Sequence, residues 1–390
     1  MEAISTADAV SRLPITLLTG FLGSGKTTAL NRVLRHPDLA KTVVIVNEFG
    51  EIGLDHELIE TSNEEMVLLQ SGCLCCTIRG DLIDTLRTLF LRRVRGEIVE
   101  FERVVIETTG LADPAPILHT LMTDPLIAAR FRLDGVITTV DAVTGEDTLD
   151  RQIESVKQAA VADRLLLTKT DLAAQSAVTA LVERLSHLNP GASIITAVNG
   201  DVDPTRLFDA GLYNPQSKSL DVQRWLKAEA FFHPSQERDR GDDGRYDYAG
   251  RGRFDKLEGV QPHFDHIHDV NRHDDHIKAL CLVVDEPISG LALDLWLNAL
   301  VLLKGPDLLR LKGIVNVVGL EGPLVIQGVQ HVIHPVVTMK AWPSADRRTR
   351  LVFITRDIDE DMLRDTLKMF TADAAALEAA RSLAQPAAFS

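Results

Sequence analysis

Residues Gly20 to Thr27 read Gly-Phe-Leu-Gly-Ser-Gly-Lys-Thr and fill all four fixed positions of the pattern G-x-x-x-x-G-K-[ST]. The pattern constrains the fold because it works only between a buried strand and the start of a helix. The flanks suit that context: Ile15-Thr16-Leu17-Leu18 reads as a buried strand, and Thr28 to Leu34 as a helix. Glycines let the backbone wrap a phosphate with its N–H groups turned inward, and the helix N-terminus adds positive potential. Gly20, Gly23, Ser24, Gly25, Lys26, Thr27 and Thr28 are therefore candidates for phosphate binding. Lys26 would reach the β- and γ-phosphates, and the Thr27 hydroxyl would ligate Mg²⁺.

A second concentration of chemistry is Gly72-Cys73-Leu74-Cys75-Cys76, which holds three of the four cysteines. Such close neighbours reach one another poorly as disulfides, and a chain this long needs no staples. Thiolates gathered in one turn suit a soft or borderline ion such as Zn²⁺ or Cu(I). One turn does not complete a tetrahedron, so a carboxylate or histidine from elsewhere is expected, with a redox thiol group as the rival reading. Scarce thiols elsewhere fit a reducing cytosol. Cys281, within Ala279-Leu280-Cys281-Leu282-Val283-Val284, reads as a core residue.

Length and charge set the outer bounds. A chain of 390 residues has room for two cores. A formal net charge of -15 argues against nucleic acid as a partner. Met1 to Arg12 lacks the basic start and apolar stretch of a signal peptide, and the longest apolar run, Leu295 to Leu303, contains Asn298 and ends at Lys304. A soluble cytoplasmic protein with no membrane segment is expected.

Beyond the P-loop, strands are expected at Thr42 to Asn47, Met66 to Leu69, Arg103 to Ile106, Gly135 to Val140, Arg164 to Leu167 and Ser193 to Ala197. Helices are expected at Asp81 to Arg92, Pro116 to Met122 and Gln175 to Leu188. Apolar strands alternating with helices predict an α/β fold, a mostly parallel sheet covered on both faces. The expected organisation is an extension over 1–13, a P-loop domain over 14–212, and a charged, His-rich linker over 213–276. A smaller α+β domain follows over 277–370, then an Ala-rich tail over 371–390. In the second domain, strands are expected at Ile277 to Val284, Gly313 to Val318, Leu324 to His331 and Leu351 to Thr355. Helices are expected at Ser289 to Leu303, with Leu295, Trp296, Ala299 and Leu302 inward, and at Asp359 to Phe370.

Three further stations give the first domain a nucleotide-hydrolase reading. The strand Val104-Val105-Ile106 ends in Glu107-Thr108-Thr109-Gly110, where Glu107 is placed to hold Mg²⁺ and the Gly110 N–H to approach a γ-phosphate. Leu165-Leu166-Leu167 leads into Thr168-Lys169-Thr170-Asp171, similar to the Asn-Lys-x-Asp element of GTPases with Thr168 in place of Asn. The Asp171 carboxylate would accept from guanine's ring N–H and amino group, while the Lys169 stem lies along the base. Thr196-Ala197-Val198-Asn199 would complete the base pocket. Between them, Asn47 to Asp55 carries three carboxylates and two glycines in the place of a switch loop, suited to Mg²⁺ or Zn²⁺ ligation.

Gly-Phe-Leu-Gly-Ser-Gly-Lys-Thr, Asn-Glu-Phe-Gly-Glu, Gly-Cys-Leu-Cys-Cys, Glu-Thr-Thr-Gly-Leu-Ala-Asp-Pro and Thr-Lys-Thr-Asp together resemble the CobW-like zinc-regulated metallochaperone GTPases. Leu309 to Gly313 and Val325 to His331 resemble that family's C-terminal domain, so the likeness runs from about Pro14 to Phe353. The resemblance implies a GTPase using GTP/GDP, Mg²⁺ and Zn²⁺. Lys26 and Thr27 would serve phosphate and Mg²⁺, Glu107 and Gly110 would sense Mg²⁺ and γ-phosphate, and Asp171 would read guanine. Cys73, Cys75 and Cys76, with Glu51, would form the zinc site. The histidines His263, His266 and His268 resemble auxiliary metal-loading tracts, with a solvated loop as the other reading. It further implies a client metalloprotein as partner and is compatible with a nucleotide- or metal-dependent homo-oligomer. Cobalt handling and an ATP-using P-loop enzyme are the rival functions. With no arginine finger or catalytic Gln assignable, slow intrinsic turnover is expected.

Overall fold

A computed structural model describes residues 12–49, 67–71, 77–197, 201–208, 276–333, 336–342 and 344–384. The first half is built on a sheet of seven parallel strands: β1 (Leu13–Gly20), β2 (Thr42–Phe49), β3 (Val67–Ser71), β4 (Arg103–Thr108), β5 (Phe131–Asp141), β6 (Arg164–Thr168) and β7 (Ser193–Thr196). Their spatial order is β3-β2-β4-β1-β5-β6-β7. The chain leaves β1 for the β3 edge, returns through β4, and then crosses to β5 on the other side of β1. That reversal opens a crevice at the carboxyl end of β1, where ligands of open α/β sheets bind.

Burial explains the parallel pairing. All of β6 and the last six residues of β1 are buried, with no solvent-facing alternation. One face of the sheet presents Ile15, Leu17, Ile45, Val104 and Ile106 to helix α2 (Thr77–Val94), through Leu82, Leu86 and Leu89, and to helix α3 (Ala115–Thr123), through Ile117, Leu118 and Leu121. The other presents Leu18, Val44, Val46, Val105 and Leu166 to helix α1 (Lys26–Leu34), through Ala29, Leu30 and Val33. The period of two along each strand thus serves two cores. Helices α4 (Pro125–Arg130), α5 (Gly145–Arg151) and α6 (Ile153–Val161), which have no counterpart among the sequence expectations, precede and follow β5. Helix α7 (Gln175–Leu188) precedes β7, and the short α8 (Pro204–Leu207) follows it.

The second half is an antiparallel sheet, ordered β11-β10-β9-β13-β8, with β12 pairing β10. Its strands are β8 (Ile277–Val284), β9 (Leu308–Val315), β10 (Leu324–Val329), β11 (Val332–Ile333), β12 (Val337–Thr338) and β13 (Thr349–Arg356). Helices α9 (Gly290–Lys304) and α10 (Glu360–Ala384) cover one face, packing Trp296, Leu297, Leu363 and Leu367 on Leu282, Leu311, Leu351 and Phe353. The Trp296 indole N–H donates to the Thr366 hydroxyl at 3.1 Å and ties the two helices together. The other face lies on the first half, where Ile277, Leu309 and Ile354 join a core with Leu149, Val156, Ala159, Leu181 and Leu185.

A buried charge cluster fixes that junction. Asp163, between α6 and β6, accepts from Arg310 at 2.5 Å and Lys312 at 2.6 Å, both on β9. Its other oxygen accepts from the Val136 N–H at 2.9 Å. Burial alone would raise the Asp163 pKa, but the two cations and this N–H hold it far below the usual carboxylate range.

Two sequence expectations are corrected here. Leu295 and Leu302 are 41% and 83% exposed, and the inward stripe is Ala292, Leu293, Trp296, Leu297 and Leu300. Helix α9 is apolar over most of its circumference, broken only by Asp294 and Asn298 before Lys304, so its period chooses a face weakly. The strand expected at Gly313 to Val318 instead spans Leu308 to Val315, and Val318 is exposed beyond it. Val317 leaves the sheet to make an isolated bridge with Ile288. Cys281 is buried, as expected. Of the stretch from 213 to 276, only His276 is among the described residues.

Candidate nucleotide site

The site begins where β1 runs out. Gly20 has φ +142°, and a Cβ there would strike the hydroxyl and carbonyl of Thr139 on β5. Only glycine fits a strand end pressed so closely against its neighbour. Ser24 is buried, its hydroxyl 2.6 Å from that of Thr139. Gly25, at φ +88°, sits at the start of α1 in the left-handed region, and no side chain caps the helix. The first-turn N–H groups of this nine-residue helix therefore face the loop without a side-chain acceptor, as an anion site requires. The Lys26 ammonium curls back to donate to the carbonyls of Gly20 at 2.9 Å and Phe21 at 3.2 Å. It thus already lies along the cradle a phosphate would occupy. Thr28, in the first turn of the helix, is exposed.

The metal-facing end is equally compact. The Thr27 hydroxyl donates to the Glu107 carboxylate at 2.8 Å, bringing P-loop and β4 end together. Glu107 is 4% exposed. A hydroxyl and a carboxylate in contact beside an uncapped helix start form a hard-oxygen pair that fits Mg²⁺. Two residues on, the Thr109 hydroxyl oxygen is buried with no hydrogen-bond partner among the described residues. Gly110 packs on the P-loop itself: a Cβ would lie 2.5 Å from the Leu22 nitrogen and 2.7 Å from its Cα.

The base-facing end is tied to the P-loop through β6. The Thr168 hydroxyl donates its single proton to the Ser24 carbonyl at 2.8 Å, with the Val140 carbonyl 3.2 Å away beside it. Lys169 adopts φ +56° and donates to the Gly23 carbonyl at 2.8 Å and the Asp141 carboxylate at 2.5 Å. Asp171 is exposed on the same loop. P-loop, strand ends of β4 and β6, and Gly110 thus meet at one end of the sheet. Val198 lies outside the described residues, as do Glu51, Cys73, Cys75, Cys76, His263, His266 and His268. The strands that lead to two of them are described: Phe49 pairs with Ser71, and Val46 with Glu107.

Two residues here carry more than the sequence reading gave them. Asp141, at the end of β5, holds Lys169 and also accepts from the Val143 N–H at 2.8 Å. An acidic residue closing a strand was the available signal, the same one that marks Glu107. Gln158 on α6 donates to the carbonyls of Gly110 at 3.1 Å and Ala112 at 3.0 Å. Its signal was a polar residue on the buried face of a helix, among Val156, Ala159 and Ala160. His119 on α3, given no role from sequence, has its ring centroid 4.8 Å from that of His331 in the second half.

A parallel sheet reversing beside a P-loop, with a threonine–carboxylate pair at the helix start, defines the P-loop nucleotide hydrolases. The chain belongs to the CobW family: residues 14–196 match the CobW/HypB/UreG nucleotide-binding domain, and residues 277–371 match the cobalamin synthesis protein cobW C-terminal domain. It is 31% identical over 352 residues to the zinc chaperone YjiA of Escherichia coli, covering 90% of this chain and 96% of that protein. It is 34% identical over 223 residues to zinc-regulated GTPase metalloprotein activator 1 of Schizosaccharomyces pombe, covering 55% of this chain and 52% of that one. The crystal structure of Zn(II)-bound YjiA GTPase from E. coli superposes with a TM-score of 0.62 at 28% identity, over 92% of this chain and 99% of that one.

Proposed function

We propose that this chain is a GTP-hydrolysing metallochaperone that binds zinc and couples the nucleotide cycle to metal transfer to a client metalloprotein. The observation that carries the coupling is strand register. Phe49 and Ser71 are paired partners, and β2 is also paired with β4, whose end bears Glu107. Glu51 follows Phe49 by two positions and Cys73 follows Ser71 by two positions. The segments carrying the proposed zinc ligands Glu51, Cys73, Cys75 and Cys76 therefore leave adjacent strands at the end that holds Glu107. The naming of the relatives YjiA and metalloprotein activator 1 for zinc supports the metal.

In this reading Gly20, Gly23, Ser24, Gly25, Lys26, Thr27 and Thr28 belong to the phosphate cradle. Thr168, Lys169, Asp171 and Val198 form the guanine end, and Gly110 meets the γ-phosphate. Thr27 and Glu107 would hold Mg²⁺, which when bound neutralises charge on the β- and γ-phosphate oxygens. Lys26 adds a fixed cation to the same oxygens, and Thr168 and Lys169 keep the cradle in register with the base. Water adds to the γ-phosphorus, the bridging bond to the β-phosphate breaks, and GDP and phosphate leave. Loss of the γ-phosphate would relax the Glu51 and cysteine segments and weaken their hold on zinc. His263, His266 and His268 would act as weak auxiliary metal ligands. The proposed organisation is a P-loop domain over 14–212, a linker over 213–276 and a C-terminal domain over 277–370, acting in the cytoplasm. Among the described residues no helix is long and apolar enough to cross a membrane.

The test is zinc-loaded protein mixed with an apo client or a chromophoric zinc acceptor. Transfer should be fast with GTP, slow with a non-hydrolysable analogue, and lost when Cys73, Cys75 and Cys76 are serine. Transfer indifferent to nucleotide would refute the coupling.

A further inference from the structure

Helix α6 lies between the two halves and reaches the loop that follows β4. Its Gln158 is 1% exposed, and its amide nitrogen donates to the carbonyls of Gly110 and Ala112 at 3.1 Å and 3.0 Å. The neighbouring Lys157 donates to Asp113 at 3.0 Å. One turn of helix thus grips Gly110, Ala112 and Asp113. The helix is itself held firmly. The Thr138 hydroxyl donates to the Gln158 carbonyl at 2.7 Å, and the Asn189 amide donates to the carbonyls of Ala159, Ala160 and Ala162.

The amide does more than fill space. Its oxygen is buried with no hydrogen-bond partner among the described residues. A buried amide with one end unsatisfied costs more than an apolar side chain of the same length, so packing alone would favour methionine. What Gln158 supplies and methionine does not is a pair of donors aimed at the loop. On the far side of that loop Gly110 packs so tightly on Leu22 that no side chain fits. The loop is therefore clamped between α6 and the P-loop.

We propose that Gln158 is a positioning residue for nucleotide discrimination: by holding the Gly110 and Ala112 carbonyls it keeps Gly110 docked on the P-loop, where its N–H meets a γ-phosphate. The proposal rests on the reading that Gly110 faces the γ-phosphate. Without the clamp the loop leaves its docked position more often, and that penalty falls on a ligand that needs Gly110. GDP, which does not reach it, binds as before. The same helix packs Val156 and Ala159 against Leu309 of β9 and ends beside Asp163, which holds Arg310 and Lys312. A shift in the clamped loop therefore bears directly on the element that meets the C-terminal sheet.

The test is Gln158→Met in the full chain, with Kd for GDP and for a non-hydrolysable GTP analogue measured by calorimetry, alongside Tm. The expected result is analogue binding weakened about tenfold, as the loss of two hydrogen bonds of modest net strength implies. GDP binding should stay within about twofold, hydrolysis should show a reduced kcat, and the Tm should fall only by the worth of two modest hydrogen bonds. Gln158→Asn, too short to reach both carbonyls, should match it. Equal weakening of both nucleotides or an unchanged ratio would overturn the proposal, because the amide would then be a structural tether with no part in discrimination. Gly110→Ala separates the two readings. If it alters the analogue-to-GDP ratio while Gln158→Met does not, only the role of Gln158 fails. If neither alters it, Gly110 does not face the γ-phosphate.

Discussion

Thr168 donates its hydroxyl to the Ser24 carbonyl at 2.8 Å, joining the end of β6 to the middle of the P-loop. Thr168 stands where the GTPase pattern has asparagine, and this bond gives the substitution a physical meaning. The hydroxyl ties the base-reading loop to the phosphate cradle, so the two ends of a nucleotide meet a preset spacing. Thr168→Val keeps the shape and removes the donor. Calorimetry should show GTP and GDP binding both weakened about fivefold, the worth of one net hydrogen bond. Thr168→Asn, with a donor of similar reach, should restore most of it.

Nucleotide identity should follow charge at two separated points. Lys26→Ala removes the cation lying along the Gly20 and Phe21 carbonyls and should abolish tight binding of GTP. Asp171→Asn presents a donor where guanine needs an acceptor. It should cost about 10- to 100-fold in GTP affinity, as for hydrogen bonds to a charged group, and shift preference toward xanthosine nucleotides. Equal affinity of the parent protein for GTP and ATP would sink the guanine assignment.

How much of this the sequence carried depended on whether local pattern or tertiary contact decided the matter. Helix α7 starts and stops at Gln175 and Leu188, as its period implies, because its apolar stripe Leu181, Leu185 and Leu188 is narrow. Helix α9 carries leucines on its outer side as well as on its buried stripe, so Leu295 and Leu302 turned out solvent-facing and contact with the antiparallel sheet selects the buried side. Strand β9 begins at Leu308, earlier than expected, because Arg310 and Lys312 are interior residues there, both bonded to Asp163. A basic residue in a strand reads as solvent-facing until its distant partner is known. The P-loop, Glu107 and the Thr168 to Asp171 loop were legible as motifs. Asp141 and Gln158 were not, because their roles arise from what they hold across gaps of 28 and 48 residues.

The junction between the halves should be brittle at Asp163. Asp163→Asn removes the carboxylate that Arg310 and Lys312 share, and the loss of one partner from a buried pair costs about 3–5 kcal/mol. Chemical denaturation should show that loss. Combining Asp163→Asn with Arg310→Met should recover part of it, since the second change removes one of the two cations that carboxylate held. Additive losses in the double variant would contradict the account.

Acid should release a different contact first. Asp346 bonds to the Arg348 side chain and to its N–H, and also faces Arg350, which together outweigh burial and hold its pKa at about 2. Its folded pKa is depressed below the unfolded value of about 3.9, so its contribution is complete above about pH 4. It is lost as pH falls through about 2. Asp346→Asn should therefore lower stability at pH 7 but hardly at all in strong acid, read as the difference in denaturation midpoint across that range.

The central claim is that nucleotide and metal act on one another through adjacent strand ends, and linkage requires that the effect run equally in both directions. Its most direct test is a zinc competition titration against a chromophoric chelator, performed on GDP-bound protein and on protein held with a non-hydrolysable GTP analogue. The account predicts a tight zinc site whose Kd is higher with GDP than with the analogue. It also predicts that zinc shifts the analogue-to-GDP affinity ratio by the same factor, and that both effects vanish when Cys73, Cys75 and Cys76 are serine. Identical zinc affinities in the two nucleotide states would contradict it, even if the cysteines bind the metal.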